Sequence, residues 1–178
     1  MQTYISILRG INVGGHKMIK MDALRKMYET LDFIGVKTYI QSGNVIFDYE
    51  EANCEDLENK IAKNIVKTFG FDVPVMVKTS DEILEILENN PFEKEYDEQD
   101  KTLHITFLSK IPDAADVEKI KNGQYAGDEF VIVGKNAYLY CVNSYHKTKL
   151  SNSFFENKLK VTATTRNWRT VNELGNMV

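Results

Sequence analysis

The sequence has few cysteines and no long apolar run, and each shortage excludes a class of protein. Cys54 and Cys141 are too few for a disulfide framework, and neither belongs to a Cys-x-x-Cys pair. No segment reaches the roughly 18 consecutive apolar residues that a membrane-spanning helix needs. Residues 1–10 lack both the basic start and the long apolar centre of a secretory signal. We therefore expect a cytoplasmic protein with reduced thiols and no membrane partner.

Complete catalytic and metal-binding signatures are also missing. The three histidines have no metal-ligand spacing with one another or with the cysteines, so no metal site is expected. Ser42 lacks the Gly-x-Ser-x-Gly pattern of a nucleophile elbow, and the glycine-rich segment after Arg9 lacks the Gly-Lys-Ser/Thr ending of a P-loop. Catalytic residues stay unknown, no cofactor is implied, and whether the protein is an enzyme is left open.

The charges are distributed unevenly along the chain. The 178 residues carry a net charge of -4, but residues 1–40 contain six Lys/Arg and three Asp/Glu, and residues 135–178 contain seven and two. The acidic excess therefore lies between these segments. Such a protein can present a cationic surface to phosphate groups, because the local potential steers a charged ligand. The alternative is that folding mixes the segments and no such surface forms.

Hydrophobic periodicity predicts an α+β fold made of two similar halves. Residues 1–79 follow the order β-α-β-β-α-β of a ferredoxin-like domain, also called a split βαβ or α/β plait. The predicted strands of this half are 3–8, 37–41, 45–49 and 73–77. Its helices begin near Met21 and at Asn53, and Gly35 is predicted to end the first of them.

The second half, residues 101–178, repeats this order and adds a terminal helix that contains Trp168. Its predicted strands are 102–108, 129–133, 137–142 and 161–163. Residues 80–100 are predicted to link the halves through a short helix, capped by Ser80, and an acidic connector. The sequence therefore predicts a tandem duplication of ferredoxin-like domains with mostly antiparallel sheets.

The predicted topology brings two polar segments of the first half together. In a sheet of order 4-1-3-2, the loop after the first strand and the turn between the second and third strands leave the same end of the sheet. We call residues 9–17 the glycine loop. It should therefore lie beside residues 41–44.

These two segments supply most of the predicted ligand-binding residues. Glycine amides and basic side chains suit an anion, and amide or hydroxyl side chains suit a base or sugar. The predicted ligand-binding residues here are Arg9, Asn12, Gly14, Gly15, Lys17, Gln41, Ser42 and Asn44. The alternative is a structural loop and an ordinary hairpin turn, in which glycine and asparagine serve only the backbone geometry.

A third polar cluster, residues 164–169, combines guanidinium groups with an indole. Arg166 and Asn167 are predicted to join the ligand-binding residues, since such groups stack on bases or grip phosphates. The alternative places Trp168 in the core as an anchor of the last helix, with Thr165 as its cap.

The same three segments resemble a known family. Residues 8–15 (LRGINVGG), 37–45 (KTYIQSGNV) and 164–171 (TTRNWRTV) closely resemble the bacterial family called domain of unknown function 1697. The resemblance runs along the whole chain and implies a cytosolic bacterial protein with two α/β plait domains. It implies no particular activity, cofactor or catalytic residue.

These observations favour binding of a phosphate-bearing ligand, a nucleotide or RNA, at the end of the first sheet. One alternative is a small-molecule enzyme at the same place, with Lys17 or Ser42 handling a proton or acting as nucleophile. Another is a module that binds proteins through a sheet edge. Protein partners and the oligomeric state stay open.

Overall fold

The computed structural model describes residues 1–92 and 101–178, which divide into two compact units. The first unit consists of Met1–Glu85 and Leu174–Val178, and the second of Ile86–Glu173. The domain boundaries expected at residues 79 and 101 stay a prediction. Residues 93–100 of the expected acidic linker lie outside the described residues.

The first unit follows the predicted order of strands and helices. In chain order the elements are β1 (Gln2–Leu8), α1 (Met21–Glu29), β2 (Ile34–Tyr39), β3 (Asn44–Tyr49), α2 (Cys54–Phe69), β4 (Val75–Thr79) and α3 (Ser80–Glu88). The four strands form one antiparallel sheet of order β2-β3-β1-β4. Pro74, which has no amide hydrogen for a strand ladder, comes directly before the edge strand β4.

The second unit repeats this plan element by element. Its elements are β5 (Leu103–Leu108), α4 (Ala114–Lys121), β6 (Glu129–Val133), β7 (Asn136–Tyr140), α5 (Asn152–Leu159), β8 (Ala163–Asn167) and α6 (Trp168–Asn176). Its sheet is also antiparallel and has the order β6-β7-β5-β8. The described residues therefore form two four-stranded antiparallel sheets and six α-helices, and the predicted tandem ferredoxin-like fold is confirmed.

Matching backbone hydrogen bonds show how closely the two units correspond. In each unit, the residues at the end of the first strand donate to the connection between the second and third strands and to the residue before the fourth strand. These bonds run from Leu8 to Gly43 (2.8 Å), Arg9 to Pro74 (3.0 Å), Leu108 to Lys135 (2.9 Å) and Ser109 to Thr162 (2.9 Å). The repeat is thus conserved in backbone pairing although the two halves share few residues.

One face of the first sheet packs against α1 and α2. The core on this face contains Leu24, Met27 and Tyr28 of α1 and Leu57, Ile61 and Ile65 of α2, all buried, as their helical spacing predicts. Aromatic rings from both the sheet and the connections fill the centre, and Phe33 stacks on Phe47 with ring centroids 4.1 Å apart.

The ends of several elements differ from the prediction. α1 ends at Glu29, and Gly35 lies inside β2 instead of ending the helix. Gly35 has a φ of 61° and sits where the β2–β3 register shifts between Ile34 and Lys37. A glycine tolerates positive φ, so the local sequence suits a β-bulge as well as a helix stop.

Helices α3 and α6 both begin directly after a strand, and their caps lie one and two residues away from the predicted ones. Thr79 caps α3 instead of Ser80: its hydroxyl accepts from the Glu82 amide (3.2 Å), and the Glu82 carboxylate accepts from the Thr79 amide (2.9 Å). Likewise Asn167, and not Thr165, caps α6 by accepting from the Thr170 amide (2.8 Å). The predicted strands 73–77 and 161–163 are correspondingly displaced towards the C terminus, to β4 and β8.

The helices were compared with the length and apolar character of a membrane-spanning helix. Among residues 1–92 and 101–178, none of the helices combines the length and apolar character needed to cross a bilayer.

Tyr28 gives the first unit a titratable group inside its core. Its hydroxyl lies 2.7 Å from the Ser6 hydroxyl, and both residues are fully buried. Burial raises the pKa of Tyr28 well above the usual 10.0, although the hydrogen bond with Ser6 acts in the opposite direction. The hydroxyl therefore stays neutral in the folded protein at pH values where an unfolded chain would lose the proton.

We expect Tyr28→Phe to lower the free energy of unfolding by about 1–2 kcal/mol at neutral pH, because Ser6 loses a buried partner. Above pH 10, the unfolded wild type releases the Tyr28 proton while the folded protein keeps it, so its stability falls by about 1.4 kcal/mol per pH unit from this group alone. The variant lacks this contribution. Urea unfolding at pH 7 and between about pH 10 and 11.5 measures both effects, and equal alkaline slopes for the two proteins would contradict the assignment.

Candidate functional site

The glycine loop and the β2–β3 turn, residues 40–43, lie side by side at one end of the first sheet. The Leu8 amide donates to the Gly43 carbonyl (2.8 Å), and the Asn12 side chain donates to the Gln41 carbonyl (2.9 Å). The expected neighbourhood of these two segments is therefore confirmed. Its cause is the sheet order, which places β1 directly beside β3.

Asn12 holds this arrangement together with one side chain. Its Nδ2 donates to the carbonyl of Ile19 (3.0 Å) as well as to that of Gln41, and its Oδ1 accepts from the Ile19 amide (2.8 Å). Its backbone has a φ of 56°, a conformation that asparagine tolerates better than most residues. Asn12 was predicted to contact a ligand, and the structure shows that its amide group is occupied in closing the loop.

The glycines form the tip of a small hairpin within the glycine loop. Val13 and His16 pair as an isolated antiparallel bridge, and the His16 amide donates to the Val13 carbonyl (3.0 Å). Gly14 and Gly15 lie between them with φ values of 58° and 76°, as in a type I′ turn. Both glycines are exposed. Their conformation alone accounts for the residue type, so the structural alternative explains them as well as a ligand does.

Hydrogen bonds hold some of the basic residues at this end of the first sheet in place. Lys17 is exposed, and its Nζ donates to the carbonyl of Asp72, just before β4. Arg9 is half-buried, and its amide donates to the Pro74 carbonyl (3.0 Å). Lys20 is exposed at the start of α1. A lysine ammonium has three donors, so Lys17 retains donors beyond the one directed at Asp72.

The acid closest in sequence to these cations has cationic partners of its own. Asp22, in the first turn of α1, forms ion pairs with Arg25 (2.6 Å) and Lys26 (2.9 Å). Hydrogen bonds from Lys26 and then from Arg25 hold the pKa of its carboxyl below the usual value. The negative charge of Asp22 is therefore offset within α1.

The β2–β3 turn uses two of its predicted ligand-binding side chains for its own structure. Asn44 is fully buried, and its Nδ2 donates to the Tyr39 carbonyl (3.0 Å) and to the Ser42 hydroxyl (3.2 Å). Gln41 is exposed and contributes its backbone carbonyl to Asn12. The side chain of Gln41 thus remains at the surface beside the glycine loop, while Asn44 stabilises the turn.

Sequence reasoning missed three exposed apolar side chains at this end of the first sheet, on or beside the glycine loop and the β2–β3 turn. Val13, Met18 and Ile40 have exposed fractions of 64%, 63% and 45%. Apolar residues inside a glycine-rich basic loop were the available signal, but a sequence does not show whether such residues point inward or outward. Their neighbours Ile11, in the glycine loop, and Ile19, just after it, are buried. The tip therefore combines cations, backbone amides and apolar surface.

Arg166 and Asn167 belong to the second unit, and each has a structural role there. Asn167 caps α6, as described above. The Arg166 guanidinium is buried in β8 and donates to the Thr164 hydroxyl (3.0 Å) and the Thr165 carbonyl (2.9 Å). Burial lowers the pKa of Arg166 to about 10. Trp168 is buried, as the structural alternative for residues 164–169 expected. A ligand contact by Arg166 or Asn167 stays a prediction.

The second unit also contains a partly buried polar cluster that the sequence did not indicate. The Thr165 hydroxyl lies 2.7 Å from the Thr106 hydroxyl and accepts from the Tyr145 hydroxyl (3.0 Å). It donates to the side-chain Oδ1 of Asn152 (2.7 Å). The His104 ring stacks on Tyr145 at 4.9 Å. These contacts join β5, β8 and α5, and they satisfy the groups concerned within the unit.

Metal ligation has no candidate in the described ranges 1–92 and 101–178. No group of three or more His, Cys, Asp or Glu side chains there is placed to hold an ion. Residues 93–100, which include several acids, are outside this statement.

Comparison with known proteins agrees with the fold and adds a family. The family model described as protein of unknown function (DUF1697) matches residues 1–138. The chain belongs to this family. The match includes the glycine loop and the β2–β3 turn, so both segments lie within the family's own pattern.

A solved structure supports the fold along the whole chain. The chain is similar to a conserved bacterial protein from Streptococcus pneumoniae, with 22% sequence identity and a TM-score of 0.76. The alignment covers 99% of this chain and 98% of that one. No curated protein matches the chain.

Gly43 allows a direct test of the packing between the turn and the glycine loop. A Cβ at Gly43 would lie 2.6 Å from Ile11 Cδ1 and 3.0 Å from Leu8 Cβ, whereas a Cβ at Gly70 would meet nothing within 4 Å. Both glycines have a φ of 81°, so alanine carries a similar backbone strain at either position, about 1–2 kcal/mol. We expect Gly43→Ala to lower the free energy of unfolding by at least about 1 kcal/mol more than Gly70→Ala. Equilibrium unfolding in urea measures both losses, and equal values would show that the turn is not packed tightly on the loop.

Proposed function

We propose that the protein binds a phosphate-bearing ligand, a nucleotide or RNA, at the tip formed by the glycine loop and the β2–β3 turn. The observation that carries this proposal is the exposure of Gly14, Gly15, Lys17 and Lys20 at one sheet end, on a loop that internal hydrogen bonds already hold in shape. Proposed activity is limited to binding, because no side-chain arrangement here supports a particular reaction.

Charge is the first reason for a phosphate. Arg9, Lys17 and Lys20 belong to the same short segment, and the one acid of the following helix turn, Asp22, is paired within α1. Cations placed together at one sheet end favour a positive local potential even on a protein of net charge -4. Phosphate groups carry the charge and the acceptor oxygens that lysine and arginine recognise.

Preorganisation is the second reason. The loop is closed by Asn12, by the Val13–His16 pairing and by the bond from Lys17 to the Asp72 carbonyl. Binding to such a loop loses less conformational entropy than ordering a flexible one. The exposed glycine backbone also permits close approach of a ligand, because no Cβ covers the amides.

The third reason separates a nucleotide from a simple anion. Val13, Met18 and Ile40 present apolar surface around the cations, and the Gln41 side chain is exposed beside them. A nucleobase has a flat apolar face and polar edges, so it can use both kinds of surface. Inorganic phosphate would use only the charged part.

The proposal predicts that Lys17→Ala/Lys20→Ala weakens binding of a fluorescein-labelled, single-stranded 12-nucleotide uridine RNA by about tenfold or more. The slope of log affinity against log salt should become shallower by about one unit for each lysine that contacts a phosphate. Fluorescence anisotropy at several salt concentrations gives both quantities. Adenosine and uridine monophosphates as competitors distinguish a mononucleotide site from an RNA surface.

The matched control is Lys63→Ala/Lys67→Ala, which removes two exposed lysines from α2 of the same unit. Its affinity should stay within about twofold of the wild type, because these lysines lie outside the tip. Equal weakening by both variants would indicate nonspecific attraction, and no RNA or nucleotide binding by the wild type would remove the proposal. An enzyme at this place would instead bind a compact ligand with little salt dependence.

A further inference from the structure

The four edge strands of the two sheets differ in how their outer main chain is protected. An open strand edge carries unpaired N–H and C=O groups that can pair with another strand, and proteins usually block it with side chains, bulges or proline. The edges of the described sheets are β2 and β4 in the first unit and β6 and β8 in the second. Three of them carry such protection, and β6 does not.

Side chains block the edges of β4 and β8. The outward amide of Val77 in β4 donates to the Glu58 carboxylate of α2 (2.9 Å). In β8, the outward amide of Ala163, which corresponds by register to Val75 of β4, donates to the Glu156 carboxylate of α5 (3.0 Å). Arg166 further covers the β8 edge by donating to the Thr165 carbonyl (2.9 Å). The equivalent position of Glu58 and Glu156 in the two units shows the same device used twice.

The edge of β2 is interrupted instead. Its register shifts between Ile34 and Lys37, with Gly35 in a left-handed conformation at the bulge. A bulge bends the strand and breaks the regular spacing of outward groups. Lys37 adds an exposed charge within the strand.

Strand β6 is regular and apolar, and its outward groups can be identified. It pairs with β7 without a register shift from Glu129 to Val133. The Lys135 carbonyl faces β5, where it accepts from Leu108, so the next residue, Asn136, faces β6 and pairs with Val133. By the alternation of antiparallel ladders, Val133, Val131 and Glu129 face β7. The main chains of Phe130 and Ile132 then face outward.

Nothing in the described part of the chain occupies these outward groups. Across residues 1–92 and 101–178, no hydrogen bond from a side chain or a backbone group outside the sheet reaches Phe130 or Ile132. After Glu129 the strand is apolar on both faces, and Val131 and Val133 have exposed fractions of 37% and 54%. An edge with this composition and no protection is suited to strand addition.

We propose that β6 pairs with β6 of a second copy of this chain, in antiparallel orientation about a two-fold axis at Val131. In this register Phe130 lies opposite the partner's Ile132, and the reverse, so all four outward groups of each strand are satisfied. Val131 lies opposite the partner's Val131, which buries the exposed valine side chains against each other. The two second-unit sheets join into one eight-stranded sheet.

Charge favours a second copy as the occupant. The strand begins with exposed Glu129 and is followed by exposed Lys135. In the antiparallel register, Glu129 lies opposite the partner's Val133, so it is at the same end of the pair as the partner's β6–β7 turn, which carries Lys135. Opposite charges therefore meet at both ends of the paired strands. A parallel arrangement would place like charges together. The strand is therefore complementary to itself.

The test uses a charge exchange at Val131. The wild type should show a mass of twice the 20.5 kDa chain in sedimentation velocity at about 200 µM, decreasing towards the single chain on dilution. Val131→Lys and Val131→Glu should each raise the dissociation constant by at least about tenfold, because like charges meet at the axis. An equimolar mixture of the two variants should recover the dimer, since lysine then lies opposite glutamate.

Val66→Lys is the matched control, because Val66 is exposed to a similar extent, 41%, on α2 of the first unit. It should dimerise like the wild type. A second readout is amide hydrogen exchange, which should slow at Phe130 and Ile132 as protein concentration rises. A wild type that stays a single chain at the highest concentration, a mixture that stays monomeric, equal loss in Val66→Lys, or exchange at these amides that ignores concentration would each overturn the proposal.

Discussion

The side chain of Asn12 is the interaction on which the candidate site depends. With three hydrogen bonds it joins the two ends of the glycine loop through Ile19 and ties the loop to the Gln41 carbonyl. Asparagine suits this role because its short amide side chain both donates and accepts, and because it tolerates a φ of 56° better than most residues. The exposed glycines and lysines therefore depend for their positions on a residue that is not free to bind a ligand.

Other residues at this end of the first sheet also serve the structure of the site and not its exposed surface. Asn44 and Gly43 shape the β2–β3 turn, and Lys17 braces the loop against the Asp72 carbonyl. A segment rich in hydrogen-bonding groups is thus explained in part by its own structure. What the structure adds is a surface in which cations, bare backbone and apolar side chains alternate, and this mixture is the physical basis for proposing a nucleotide or RNA.

Comparing the two units separates features that the fold requires from features that only one unit has. Both units repeat the hydrogen bonds at the end of the first strand and the glutamate that covers the fourth strand. They differ where one unit has the long glycine loop and the other a shorter connection, and where one outer strand is bulged and the other is regular. Function is more readily sought in the differences, because a shared feature is already explained by the fold that both units share.

Much of the architecture was accessible from the sequence, and particular residues show why. Leu57, Ile61 and Ile65 recur at four-residue spacing because they face one core, and Asn53 caps their helix as predicted. The predictions for Gly35, Ser80 and Thr165 were wrong, because a glycine serves a bulge as well as a helix end and several neighbouring polar residues can cap equally well. Local pattern fixes the kind of element better than its last residue.

The sequence by itself determined the order of strands and helices, the tandem repeat and the proximity of the glycine loop to the β2–β3 turn, since these follow from hydrophobic period and from the rules of sheet topology. Only the tertiary structure decided which polar groups are already occupied and which apolar groups are exposed. Asn12 and Met18 illustrate the reason: a polar side chain finds its partner, and an apolar one its cover or lack of it, among residues that are distant in the chain.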